Sequence, residues 1–274
     1  MRKTLTLGLA AGIVAAVGFV APAQAISSTS ADLSVLHAIP GLTVDVYVDG
    51  ALTLDDFAPG TLAGPLDVPA GDHVVAITAA DAPDASAPVL GPVTVSLAAG
   101  ASYTAVAHLD ADGNPTVTAF SNDISATPAG QGRLTVRHVA AAPAVDIIAG
   151  GAPVISGLTN PNEASLVLPA STVSASVALA GTTAPVIGPA DVPIKDGTLT
   201  IVYAWGSAAD ANLALATQEV TTAHTDPGGV NSGTAGYAAD RDAMVLTTWT
   251  VGIAVLFAAL VVALVLVRRR RTQS

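Results

Sequence analysis

The sequence predicts an all-β protein made of two tandem antiparallel β-sandwich domains, preceded by a signal peptide and followed by one transmembrane helix. Three observations support this prediction. Apolar residues in the middle of the chain recur with a period of two, a segment of about 100 residues occurs twice, and an uncharged apolar stretch lies near each end.

Alternation with a period of two is clearest at residues 44–48, where the valines face one side of a strand and Asp45 and Tyr47 the other. Short β-branched or apolar runs follow at 73–78, 93–97, 103–108 and 116–120. Asp49-Gly50 and Asp112-Gly113 are hairpin signals, because these residue types tolerate positive φ. With no 12-residue helical pattern outside the termini, each copy is predicted to hold seven or eight short strands, which is typical of a β-sandwich.

The internal repeat defines the domain organisation. The first copy opens LSVLHAIPGLTVDVYVDG and the second opens LTVRHVAAAPAVDIIAGG, so that His37 aligns with His138 and Asp45 with Asp146. The predicted segments are a signal peptide (1–25), a first sandwich (32–123), a linker (124–132), a second, diverged sandwich (133–220), a flexible stalk (221–243), a transmembrane helix (244–267) and a basic cytoplasmic tail (268–274).

The repeated motif resembles a known family. LSVLHAIPGLTVDVYVDG, with Val-Pro-Ala-Gly before a later strand, looks like a DUF4397 domain, a family of unknown function in secreted and surface bacterial proteins. Ile39 and Gly41 depart from the Ser-Pro-Asp core of that family's pattern, and the second copy has lost that core and the Asp-Gly turn. The resemblance implies tandem extracellular sandwiches of an Ig-like or prealbumin-like type, and it supplies no established activity.

The N-terminus has the three parts of a secretory signal peptide. Arg2 and Lys3 form a positive region, residues 5–20 are apolar and uncharged, and Ala23-Gln24-Ala25 provides a small-x-small cleavage site. Cleavage is therefore predicted after Ala25. An uncleaved N-terminal anchor is the alternative, but the apolar run is short for a membrane span.

The C-terminus has the pattern of a stop-transfer anchor. Residues 244–267 carry no charge and as a helix would be about 36 Å long, enough to cross a hydrocarbon core of about 30 Å. Four arginines follow and should keep the C-terminus in the cytoplasm. These stop-transfer residues are Arg268, Arg269, Arg270 and Arg271.

Charge and composition exclude several classes of function. The chain has 274 residues, a net charge of −11 and no cysteine, so it has no disulfides, thiolate zinc sites or cysteine nucleophiles. Between the two membrane signals, residues 26–242 hold 21 acidic and four basic residues, a net charge of −17. That surface should repel nucleic acid and anionic lipid.

The candidate functional residues are the matched polar residues of the repeat, His37, Asp45, His138 and Asp146, whose roles the sequence leaves open. Each histidine could be a ligand or a proton-sensitive contact, or it could hydrogen-bond a backbone carbonyl and fix a loop. Each aspartate could be solvated on its strand, or could accept hydrogen bonds from the amides of a neighbouring loop. We expect the structural alternatives.

No pattern for catalysis, a metal or a cofactor stands out. Residues 110–114 resemble the start of a calcium loop, but Gly113 is fourth and Ser121 occupies the twelfth position, so a polar hairpin turn is expected. The chain has no G-x-S-x-G, P-loop or dinucleotide fingerprint. We therefore expect a non-enzymatic protein without catalytic, cofactor-binding or metal residues.

The expected function is that of a binding or interaction module at the envelope of a Gram-positive, actinobacterium-like cell. The protein would be a single-pass membrane protein with its ectodomain outside and an envelope protein or glycan as its partner. The alternative is a structural or sortase-linked cell-wall component, although no LPxTG motif precedes the apolar span. A hydrolase or a calcium-dependent binder is less favoured, and the oligomeric state and partner are left open.

Overall fold

A computed structural model describes residues 26–222, which form an all-β protein of sixteen strands without a helix. The prediction of an all-β fold is confirmed. The strands of the first half are β1 (Ser30–Ala38), β2 (Val44–Val48), β3 (Ala51–Phe57), β4 (Leu62–Pro69), β5 (Gly71–Ala79), β6 (Leu90–Leu97), β7 (Ser102–Leu109) and β8 (Pro115–Asn122). Those of the second half are β9 (Gln131–Ala141), β10 (Val145–Ala149), β11 (Ala152–Leu158), β12 (Glu163–Pro169), β13 (Ser171–Leu179), β14 (Pro185–Ile194), β15 (Thr198–Ser207) and β16 (Ala214–Thr221).

The strands form four four-stranded sheets, and each half of the chain contributes two of them to one sandwich. The first sandwich has sheets of order β4-β1-β7-β8 and β3-β2-β5-β6, and the second has β12-β9-β15-β16 and β11-β10-β13-β14. The two halves therefore have the same strand order. Positions with the same place in this order are called counterparts below.

Most strand pairs are antiparallel, as the sequence pattern predicts, but each sandwich has one parallel pair among its described strands. β1 runs parallel to β7, and β9 runs parallel to β15. These four central strands are buried over most of their length. Central strands covered on both faces are rich in apolar residues, and four of the six residues 33–38 are apolar.

Each sandwich encloses its own aliphatic core. In β2, Val44 and Val46 point into the first core together with Val75 and Ile77 of β5. The second core is equivalent and contains Val145 and Ile147 of β10 with Val177 of β13 among its members. Alternation along the strands produces this arrangement, because residues two apart share a face.

A third apolar cluster joins the two sandwiches. It forms where the outer face of the β1 sheet meets the outer face of the β9 sheet, so both sheets are covered on both sides. Tyr203 and Ile201 of β15 are completely buried there, and the ring of Trp205 lies against Gly60 of the first sandwich. Each fully buried side chain of this size contributes about 1.5–3 kcal/mol through apolar burial. The members that belong to the first sandwich are Leu36, Ala38, Val106 and Phe120.

A buried polar network centred on Arg137 crosses this contact between the sheets. Arg137 is 1% exposed, and its guanidinium donates to Glu163 at 2.7 Å, to the Tyr203 hydroxyl at 2.9 Å and to Asn122 Oδ1 at 3.0 Å. Its Cζ atom lies 4.4 Å from the centre of the Phe120 ring. Asn122 and Phe120 belong to the first sandwich, so the Arg137 side chain of β9 contacts both domains.

The segment between the sandwiches is bonded to the domain that follows it. Arg133 Nη1 donates to the carbonyl oxygens of Asp123 at 2.7 Å and Ser125 at 3.1 Å, and its Nη2 lies 3.2 Å from an Asp123 carboxylate oxygen. Thr127 is completely buried. β9 begins at Gln131, inside the predicted linker of residues 124–132.

The predicted signal peptide, transmembrane helix and cytoplasmic tail, and nearly all of the predicted stalk, lie outside the described residues. Within residues 26–222, no helix has the length and apolar character needed to cross a membrane.

The Arg137 network leads to a prediction about stability. Arg137→Met should lower the free energy of unfolding of the full-length protein by about 3 kcal/mol, because it leaves the buried Tyr203 hydroxyl and Asn122 Oδ1 without their donor. Urea unfolding measures this change. Lys195→Met is the matched control: the Lys195–Glu219 pair is exposed, so its loss should cost about 1 kcal/mol or less. Equal losses in the two variants would contradict the role given to Arg137.

Candidate functional site

The two repeat histidines occupy equivalent buried positions and hold the loop after the first strand of each sandwich. His37 Nε2 donates to the Leu42 carbonyl at 2.6 Å, and His138 Nε2 donates to the Pro143 carbonyl at 3.0 Å. The His37 ring also stacks on Phe57, with 6.0 Å between ring centres. These are the contacts of a loop-fixing histidine, and neither ring reaches the surface.

Burial lowers the pKa of both rings, and the bond to a backbone carbonyl only partly offsets this effect. The neutral imidazole is therefore the form that fits the fold. In that form Nε2 carries the proton, and Nδ1 of His138 can accept the 3.3 Å hydrogen bond from the amide of Ala140. Nδ1 of His37 is buried without a partner.

The two repeat aspartates are also buried and equivalent, but their surroundings differ. Asp146 accepts backbone amides at both oxygens, from Gly157 at 2.7 Å and Gly181 at 2.8 Å. Asp45 accepts the amide of Asp56, the counterpart of Gly157, at 2.9 Å through Oδ1. Within the described part of the chain, Oδ2 of Asp45 accepts no hydrogen bond.

A carboxylate cluster forms beside Asp45 in the first sandwich. The pairing of β2 with β3 shifts register between Val44 and Val46, and this irregularity places Asp55 and Asp56 against Asp45. One carboxylate oxygen from each of the three lies within 4.8 Å of the others. We call Asp45, Asp55 and Asp56 the β2–β3 carboxylate cluster. In the second sandwich the last two positions are Ser156 and Gly157.

Like charge dominates the electrostatics of this cluster. The neighbouring carboxylate of Asp55, together with desolvation and the charges of Asp81 and Asp45, raises the pKa of Asp56. No Lys or Arg occurs between residues 26 and 132. The three basic residues of the described chain, Arg133, Arg137 and Lys195, each pair with another acid.

Sequence reasoning identified Asp45 but missed Asp55 and Asp56. The available signal was the pair Asp55-Asp56 at positions where the second copy has Ser156-Gly157. A period-two pattern does not reveal it, because the register shift that brings the pair to Asp45 is a local irregularity of the ladder.

The segment 110–114 forms a polar hairpin turn between β7 and β8. Asp110 Oδ1 accepts the amides of Asp112 at 2.9 Å and Asn114 at 2.8 Å, and these hydrogen bonds lower the pKa of Asp110. Its carboxylate therefore stabilises the turn.

Beside His138, the second sandwich has a cleft of about 400 Å³. Its lining is almost entirely apolar and includes Pro143, Val145, Leu179 and Val186. The Nε2 proton of His138 is already bonded to Pro143. The cleft therefore lacks the convergent polar groups that orient a ligand.

These features define an all-β protein of two joined sandwiches in which the repeat residues support the fold and an acidic cluster belongs to one copy. Residues 31–148 match the family model described as "Domain of unknown function (DUF4397)". The match covers the first sandwich and the first two strands of the second.

Other comparisons add little to this match. No curated protein matches the sequence. Among solved structures, the chain is similar to the Bacillus anthracis TIE protein, with 15% sequence identity, 70% of this chain and 44% of that chain covered, and a TM-score of 0.19. The aligned region is thus less than half the length of that protein.

The buried histidines predict loss of stability in acid. His37, His108 and His138 all have a pKa lowered mainly by burial, so the unfolded chain takes up protons near pH 6.5 while the folded chain does not. Their contribution should be complete above about pH 6.5 and should fall as the pH drops below it, by up to about 1.4 kcal/mol per pH unit for each proton. Urea unfolding of the full-length protein from pH 7 to pH 5 measures this slope. His108→Gln should reduce it, and an unchanged slope would contradict the assignment.

A fourth histidine should behave in the opposite way. His73 Nδ1 donates to Asp49 Oδ2 at 2.7 Å and Nε2 donates to the Pro69 carbonyl at 2.8 Å, so both contacts favour the charged ring and raise its pKa. Stability from this pair is present below about pH 6.5 and is lost as the pH rises through the raised folded value. Histidine NMR titration should show that Asp49→Asn lowers the pKa of His73, whereas Asp72→Asn changes it less. Equal effects would contradict the Asp49 contact.

Proposed function

We propose that this protein is a membrane-anchored, extracellular β-sandwich protein that acts as a binding module at the bacterial cell envelope. The observation that carries the proposal is the uneven charge of its two sandwiches. Residues 26–132 hold twelve aspartates and no Lys or Arg, whereas residues 133–222 hold six acids and three basic residues. The first sandwich therefore presents a surface suited to a positively charged envelope protein or an amine-bearing glycan.

A non-enzymatic role fits the chemistry of the described histidines. Three are buried, and the half-buried His73 has both ring nitrogens in hydrogen bonds, to Asp49 and to Pro69. A general base needs a ring nitrogen within reach of the proton that it accepts. These four rings are already used to hold loops and turns.

We also propose that the second sandwich is a diverged second copy of the DUF4397-like domain. The identical strand order of the halves supports this. His37 and His138 also make equivalent contacts, each within its own sandwich, and so do Asp45 and Asp146. After duplication, a second copy that has lost the Asp-Gly turn could keep the buried residues and lose the surface acids.

Binding of the full-length protein, purified in mild detergent, to cell-wall and membrane-protein fractions of the encoding bacterium tests the proposed function. We expect saturable binding that weakens with added salt. Asp67→Asn combined with Asp84→Asn, on the first sandwich, should weaken binding about two- to fivefold, since an exposed charge pair contributes about 0.5–1 kcal/mol.

The matched control changes two exposed acids of the second sandwich, Asp191→Asn and Asp210→Asn, and should leave binding unchanged. If neither fraction binds saturably, the binding role is wrong, and a structural or sortase-linked wall component becomes the better proposal. Protein that stays attached to peptidoglycan in hot detergent would then indicate wall linkage, and release with membranes would indicate the simple anchor.

A further inference from the structure

We infer that the β2–β3 carboxylate cluster of the first sandwich is a binding site for a hard divalent cation, of which Ca²⁺ fits best. This inference is independent of the proposed envelope partner. It rests on the spacing of three carboxylates, on an unpartnered buried hydroxyl next to them, and on the changes at the same positions in the second sandwich.

The spacing of the cluster suits one ion. Ca²⁺ binds oxygen ligands at about 2.3–2.6 Å, so two oxygens on opposite sides of one ion are about 4.6–5.2 Å apart. One oxygen each from Asp45, Asp55 and Asp56 lies within 4.8 Å of the others. Small rotations of the exposed Asp55 and Asp56 side chains would therefore bring all three carboxylates onto a single ion. Carboxylates are also the ligand type that hard cations prefer, and the remaining positions of a six- to eight-coordinate shell can be taken by water.

The cluster has carboxylate oxygens that are free to bind a cation. Asp55 and Asp56 are exposed, while Asp45 is 2% exposed and uses Oδ1 for the amide of Asp56. Oδ2 of Asp45 accepts no hydrogen bond from the described residues. That oxygen is not sealed from solvent, so an ion can reach it.

Thr78 provides the second, independent observation. It is completely buried, and its Oγ1 has no hydrogen-bond partner. Thr78 is the cross-strand partner of Asp45 in the β2–β5 ladder, so the two side chains leave the same face of the sheet with Cβ atoms about 4.5–5.5 Å apart. An unpaired buried hydroxyl destabilises the fold, and a neutral oxygen beside carboxylates is a suitable cation ligand.

The second sandwich shows what the same position looks like without these groups. The counterparts of Asp55, Asp56, Thr78 and Asp81 are Ser156, Gly157, Ala178 and Gly181. There both oxygens of Asp146 are used by backbone amides, and its cross-strand partner in β13 is Ala178, which has no hydroxyl. The buried aspartate therefore serves the fold in both copies, and the additional oxygens belong to the first copy alone.

Calcium titration of the full-length protein in mild detergent tests the site. Isothermal calorimetry with CaCl₂ should show one saturable site with a dissociation constant of roughly 10⁻⁴–10⁻³ M, the range of extracellular calcium modules. Thermal unfolding should shift upward with CaCl₂ and return to its starting point with a chelator. Terbium, used in place of calcium, should emit on excitation of Tyr47, which leaves β2 on the face of Asp45 about 7 Å away along the strand.

The decisive variant copies the second sandwich into the first. Asp55→Ser with Asp56→Gly replaces two exposed residues, and glycine suits the positive φ of 49° at position 56, so the fold should survive. Calcium affinity should fall at least tenfold. The matched control, Asp67→Asn with Asp112→Asn, removes the same charge elsewhere on the first sandwich and should leave affinity unchanged.

The Thr78→Val variant distinguishes Thr78 as a cation ligand from Thr78 as a purely structural residue. Without calcium the variant should be as stable as the parent or more stable, because an unpaired buried hydroxyl is removed; with calcium it should gain less stability than the parent. The inference is overturned if calcium produces no saturable signal at millimolar concentration, if ionic-strength-matched NaCl gives the same shift, or if the Ser-Gly variant responds like its parent.

Discussion

The guanidinium of Arg137 is buried between two sheets that belong to different sandwiches, and the arrangement of the two domains depends on that burial. Removing a charge of this kind from water costs several kcal/mol, so the surrounding groups must compensate it. Glu163 and Tyr203 of the second sandwich do so together with Asn122 of the first. Because these bonds require one particular placement of Asn122, the network defines how the β1 and β9 sheets meet, while the apolar cluster around it supplies most of the stabilisation.

The outward faces of the β1 and β9 sheets are therefore buried against each other and not exposed to solvent. The sequences of these strands reflect that burial on both sides. A free sandwich would show polar residues on its outer faces. Here the outward positions of β15 carry Leu199, Ile201 and Tyr203. The polar residues that remain, such as Thr104 and Gln218, bond to each other across the contact at 3.0 Å.

Much of the fold could be predicted from the sequence, because it depends on local patterns. Alternation in Val44–Val48 correctly assigns the valines to the core, and Asp49-Gly50 forms the predicted turn with both residues at positive φ. The parallel pairing of β1 with β7 could not be derived, because those strands are more than sixty residues apart and alternation does not determine direction. The candidate site was predicted only in part for a similar reason: Asp45 stands in a regular strand, but Asp55 and Asp56 reach it through a shifted register.

The two sandwiches have the same strand order but differ in their charged residues. All the basic residues of the described chain lie in the second sandwich, and each is held in an ion pair with Asp123, Glu163 or Glu219. Of the acids in residues 26–132, only Asp123 is paired with one of them, and the carboxylates of Asp45, Asp55 and Asp56 lie beside one another. Repulsion of this kind destabilises a folded domain unless ions or a partner from outside supply the missing positive charge. The first sandwich thus combines a buried framework that the second retains with an acidic surface that the second lacks.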